Sequence, residues 1–106
     1  MRPEQMLPAE KEALERLLAI ASGYTDQSRR VADFLLAWWN PASCGSYDIT
    51  SGWGLDEDIA EDVCTVFRLA TRANSYPDTL AYESQFESVV RVWRPELVGT
   101  GEAEHV

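Results

Sequence analysis

One histidine, one lysine and two cysteines are all that the 106 residues contain of the side chains most used in catalysis. The histidine, His105, is the penultimate residue, where chains usually fray. The commonest general base, every metal set that includes histidine, and any Ser-His or Cys-His nucleophile pair in a folded core are therefore excluded. Carboxylates, arginines and tyrosines would have to carry any chemistry. The expectation is a protein without catalytic residues, cofactor or metal. Basic residues are scarce as well, nine Lys and Arg against eighteen Asp and Glu, for a formal net charge of −9. Neutralising phosphates takes clustered Lys and Arg, so direct nucleic-acid binding through a basic face is excluded. No apolar run approaches the roughly 20 residues of a membrane span. The opening stretch MRPEQMLPAEKEALERL carries charges throughout and no apolar core, unlike a secretory signal. Cys44 and Cys64 are too few for a disulfide framework, and Cys64 sits in an apolar helical pattern where a thiol acts as a small buried hydrophobe. A reduced, cytoplasmic setting is expected.

What is present is apolar periodicity. With 45% hydrophobic residues the chain can bury one core, and its length suits a single domain, expected over residues 9–98 with loose ends at 1–8 and 99–106. A first helix is predicted from Ala9 to Ala21, with Leu14, Leu17, Leu18 and Ala21 as its buried stripe and Glu12 paired to Arg16 on the wet side. A second, capped by Thr25 or Asp26 and stopped at Asn40-Pro41, has two apolar stripes and so should be central: Val31, Phe34, Leu35 and Trp38 beside Ala32, Leu36 and Trp39. Residues 41–54 form a long connection, with a short extended piece at Tyr47-Asp48-Ile49, and Tyr47, Ile49 and Trp53 folding it back onto the helices. Asp56 caps a third helix whose core stripe is Ile59, Val63, Val66, Phe67 and Ala70. The last helix starts near Thr79 or Tyr82, buries Phe86, Val89, Val90 and Trp93, and ends before Pro95. The fold class is all-α, a compact bundle of about four helices with one long structured loop between helices 2 and 3.

Three groups of residues are candidates for function. Asp56, Glu57, Asp58, Glu61 and Asp62 crowd the start of the third helix, and the chain from residue 54 onward carries a net −7 against −2 before it. Such a cluster suits a helix N-terminus and keeps a small domain soluble. It also suits an interaction face that imitates nucleic-acid phosphate; a calcium loop is not spelled out there. Arg29 and Arg30 open the second helix, where positive charge opposes the dipole, so they should pair with Asp26 and Asp33 or else bind phosphate. Trp39 and Trp53 flank the long connection and, with Tyr47, could anchor a protein partner. A carboxylate-dependent hydrolase would need Asp33, Asp48 or Asp58 gathered near Arg29.

The run Thr25-Asp26-Gln27-Ser28-Arg29-Arg30-Val31-Ala32-Asp33-Phe34-Leu35-Leu36-Ala37-Trp38-Trp39-Asn40 carries a resemblance. So do Tyr47-Asp48-Ile49-Thr50, Trp53, Tyr76-Pro77-Asp78 and Val92-Trp93-Arg94-Pro95. Together, across residues 10–98, they resemble an uncharacterised family of small proteins encoded on integrative and conjugative elements of proteobacteria. The resemblance carries no activity and no site residues. It implies an accessory protein of mobile DNA that acts by binding a protein partner. One form is inhibition of a host nucleic-acid-binding defence complex, in the manner of anti-CRISPR proteins, through the acidic face against a basic partner surface. The alternative is a structural or regulatory module of the conjugation machinery, working through an aromatic interface or as a homo-oligomer.

Overall fold

The computed structural model describes residues 1–100, with side chains through Val98; His105 and the rest of 101–106 lie outside them. Among the described residues every regular element is helical. Four longer helices, α1 (Pro8–Ala21), α2 (Asp26–Trp39), α4 (Glu57–Ala73) and α5 (Glu83–Trp93), are joined by the single turn α3 (Pro41–Cys44) and followed by the short α6 (Pro95–Thr100). Tight 3-10 turns occupy Pro3–Gln5, Ile49–Gly54 and Pro77–Leu80.

The ends follow local chemistry. Pro8 opens α1, where its fixed φ and missing N–H cost nothing. The Thr25 hydroxyl accepts the Ser28 N–H at 3.0 Å and caps α2. Asn74 closes α4 in the left-handed conformation, φ 52°, which asparagine tolerates better than most residues. The 41–54 connection is more regular than its composition suggests. Pro41 starts a helical turn capped by the Asn40 side chain, and Asp48 takes the Thr50 N–H and hydroxyl, winding residues 49–54 into a 3-10 turn. Of the extended piece expected at Tyr47–Ile49, Asp48 is extended, φ −78° and ψ 115°, while Ile49 already belongs to the 3-10 turn.

α1 and α4 run antiparallel and are tied twice: Glu10 to Arg72 at one end, 2.6 Å, and Arg16 to Asp62 at the other, 2.8 Å. Arg16 therefore crosses to α4 and is not the partner expected for Glu12. α5 is antiparallel to α2, with Phe86 against Trp38 and Trp39 and Arg94 bound to Asp33 at 2.9 Å. α2 and α4 run parallel. The Gln27 amide exchanges two hydrogen bonds with Asp56 at their starts, and Trp38 Nε1 donates to Ser75 O at their ends. α2 is the central helix its two stripes predict: Val31, Ala32, Leu35, Leu36 and Trp39 are all essentially inaccessible. The core continues through Leu14 and Leu17 of α1, Val66 and Leu69 of α4, and Phe86, Val89 and Val90 of α5. Met1 and Met6 rest against it, and Arg72 reaches Gln5 O, so the first residues lie along α1 and α4.

Candidate functional site

α4 departs from its expected core stripe. Its buried residues are Val66, Leu69 and Ala73, a stripe turned toward α1. Ile59, Val63 and Ala70 are half-buried, and Phe67 stands 62% exposed. Cys64 likewise departs from the burial expected of it. Cys64 is exposed on α4, whereas Cys44, placed by α3 against the core, is buried. Burial pushes the Cys44 thiol above its ordinary pKa, only partly offset by the charge of Arg94.

Between α2 and α4 lies an open groove of about 960 Å³. It exists because the two parallel helices are tied at their ends and are not packed along their length. Phe34, Ala37 and Trp38 form the α2 wall; Ala60, Val63, Cys64, Phe67, Ala70 and Thr71 form the α4 wall. The 47–55 segment closes one end with Tyr47, Ile49, Gly52 and Leu55, and Arg68 lines α4's outer edge. The walls are almost wholly apolar.

The turn at this end is held from below. Tyr47 stacks edge-on against Phe34, ring centroids 5.3 Å apart, and burial raises its hydroxyl pKa. Arg30 reaches over from α2, its Nε donating to Asp26 at 2.7 Å and its Nη1 to Ser51 O at 2.9 Å. Gly54 makes room for that guanidinium: a Cβ there would lie 2.5 Å from Arg30 Cζ. Held this way, the turn leaves Ile49 83% and Trp53 87% exposed. Of the three side chains expected to fold the connection back, only Tyr47 does so.

The other candidates sort as follows. Arg29 pairs with Asp26 and Asp33, and Arg30 with Asp26, so both arginines are engaged within the chain. The two guanidinium groups hold the Asp26 carboxyl below its usual pKa, Arg30 contributing most. Trp39, read as a possible contact, is 1% exposed and belongs to the core; its buried Nε1 has no hydrogen-bond partner among the described residues. The acidic cluster is divided. Asp62 is bound to Arg16 by two hydrogen bonds and Asp56 is bound by Gln27. Asp56 occupies the N-cap position, but its side chain makes no capping hydrogen bond because Gln27 holds it. Glu57, Asp58 and Glu61 remain exposed. Among the described residues no group of three or more His, Cys, Asp or Glu is placed to hold a metal ion.

Asp33 and Asp48 do meet Arg29 and Arg30, around a polar pocket of about 280 Å³, while Asp58 is not part of it. Both carboxylates there are engaged within the chain, Asp48 through its Oδ1. Asp33 accepts Arg94, and Thr50 holds the Asp48 carboxyl low in pKa through its hydroxyl and N–H. The arrangement braces the turn.

Ile49 and Phe67 were the residues least visible beforehand as surface features. The signal for Phe67 was a second period inside α4, Ala60, Cys64, Phe67 and Thr71, running beside the buried Val66, Leu69 and Ala73.

The class so defined is a small all-α domain with an exposed apolar groove between two parallel helices. Residues 11–94 match the family of unknown function DUF7673, and the chain belongs to that family. No curated protein and no solved structure matches it. No helix among the described residues is long and apolar enough to cross a membrane.

Proposed function

We propose that this protein works by binding another polypeptide, as an interaction module whose contact surface is the α2–α4 groove and the turn at its end. The observation that carries this reading is the exposure of Ile49 and Phe67 in the lining of one apolar groove, with Trp53 exposed on the turn that closes its end. Monomeric soluble proteins rarely leave large aromatic and aliphatic side chains contiguous with such a surface, and tryptophan is among the residues that dominate binding energy at interfaces. The aromatic form of the interface is thus favoured over the purely acidic one. Its setting, following the family resemblance, is accessory work for a bacterial mobile element in the cytoplasm, without catalysis and without direct contact to nucleic acid.

The acidic reading keeps one observation of its own, the exposed Glu57, Asp58 and Glu61. On that reading the same helix start mimics phosphate and blocks a basic surface of a host defence complex. Salt separates the two. A phosphate-mimicking face loses affinity steeply with ionic strength, whereas an apolar groove is nearly indifferent.

The test is recovery of associated chains, untagged copies of the protein included, by tagged wild type, by Phe67→Glu and by a triple reversal of Glu57, Asp58 and Glu61 to lysine. The groove reading expects Phe67→Glu to abolish association and the triple reversal to change it less. Association untouched by Phe67→Glu overturns it.

A further inference from the structure

The outer face of α4 has a pattern of its own. Ala60, Cys64, Phe67 and Thr71 are spaced four, three and four apart, the a/d spacing of a coiled-coil seam. Cys64, Phe67 and Thr71 are exposed and Ala60 is half-exposed, so the seam has no partner within the described residues. Beside it, seven residues apart and therefore on the same flank, stand Glu61 and Arg68, and neither makes an ion pair among the described residues. A seam flanked by acid at one end and base at the other is complementary to itself when reversed.

We infer that the groove is filled by a second copy of this chain, the two α4 helices lying antiparallel about a two-fold axis. The inference rests on the groove reading above and names its occupant. Antiparallel pairing sets the large Phe67 of each copy over the second copy's small Cys64, and Ala60 over Thr71. It brings Glu61 beside the second copy's Arg68, and by symmetry the reverse. The orientation also agrees with the rest of the fold. α1 already lies antiparallel to α4 on its other side, matched acid to base through Glu10–Arg72 and Arg16–Asp62. An antiparallel helix on the open side repeats that arrangement and relieves the parallel dipoles of α2 and α4. Phe67, in the groove lining, is the large exposed side chain such a partner would cover first.

The test uses the full chain under reducing conditions, with light scattering after size exclusion from micromolar to millimolar concentration. Wild type is expected to reach twice the 11.9 kDa chain mass. Phe67→Glu is expected to stay at single-chain mass with an unchanged helical CD spectrum. Glu61→Arg or Arg68→Glu alone should weaken association about 3- to 10-fold, since each removes two exposed ion pairs, and the double exchange should restore it. A short bismaleimide should join two copies through Cys64 and fail on Cys64→Ser. Single-chain mass for wild type throughout overturns the inference while leaving the groove reading intact, provided Phe67→Glu still loses a foreign partner. A dimer that survives Phe67→Glu overturns both. A dimer that Phe67→Glu breaks but the double exchange does not restore overturns the antiparallel register.

Discussion

The two long faces of α4 make the instructive contrast. Its inner face, Val66, Leu69 and Ala73, is sealed against α1 and bracketed by two cross-helix ion pairs. Its outer face carries as apolar a stripe, Ala60, Cys64 and Phe67, and meets only the groove. Hydrophobicity alone does not distinguish them. What distinguishes them is whether a neighbouring helix has polar groups placed to meet the charges that flank the stripe. Glu10 and Arg16 of α1 do this for Arg72 and Asp62, and nothing in the described chain does it for Glu61 and Arg68.

That contrast can be broken from the inside first. Leu69→Ala removes a fully buried side chain and should cost about 2–5 kcal/mol, read as a lowered urea midpoint. Glu10→Gln comes next. Its carboxylate is buried while Arg72 is half-exposed, so losing the charge should cost about 1–2 kcal/mol, less than for a fully buried pair. The same pair sets a pH dependence. Hydrogen bonding from Arg72 lowers the Glu10 pKa in the folded state, against a smaller opposing effect of burial. The stabilisation is therefore present above the ordinary carboxyl pKa and is lost as pH falls through the lowered folded value. Urea midpoints of wild type should fall on acidification more steeply than those of Glu10→Gln.

Smaller effects test the ends and the outer face. Asn74→Ala places a Cβ without a side-chain amide in the left-handed region and should cost about 1 kcal/mol, with Asn74→Gly close to wild type. Phe67→Ser, on the outer face, should change the stability of the single chain by no more than about 0.5 kcal/mol. A thiol reagent completes the comparison. Cys64 should react in the native protein and Cys44 only after unfolding, and equal rates for both would contradict the assignment of the two faces.

Most helices were legible in the residues because their determinants are local. Pro8, Thr25, Asn40-Pro41 and the i, i+3, i+4 spacing of α1, α2 and α5 act within a few turns of chain, and the structure follows them to within a residue or two. The start of α5 had two candidates. Of its two expected starts, the later one holds, Tyr82 being the N-cap, because Pro77–Leu80 wind a separate turn ended by Ala81 at φ 68°. Pro95 stops α5 as expected but also begins α6, since a proline that ends one helix is well suited to the first position of the next.

The candidate site was legible only in part. The exposed Glu57, Asp58 and Glu61 were visible as surface residues, and Trp53 as a candidate contact beside the long connection. Trp39, Phe67, Cys64 and the partners of Asp56, Asp62 and Arg16 were not, because each depends on which helix lies alongside. A single stripe at 3.6-residue spacing cannot say which of two adjacent apolar arcs a neighbour will cover.

The residues by themselves therefore determined that this is an all-α chain poor in histidine and lysine, acidic in its second half, with α2 at its centre. Those properties follow from composition, capping and local periodicity. Tertiary structure alone decided that α2 and α4 run parallel, that α1 takes one side of the pair, and that the other side stays open. Side-chain pairs far apart in sequence set that geometry, Gln27 with Asp56, Arg16 with Asp62 and Glu10 with Arg72. Their energies register only once the chain has closed on itself.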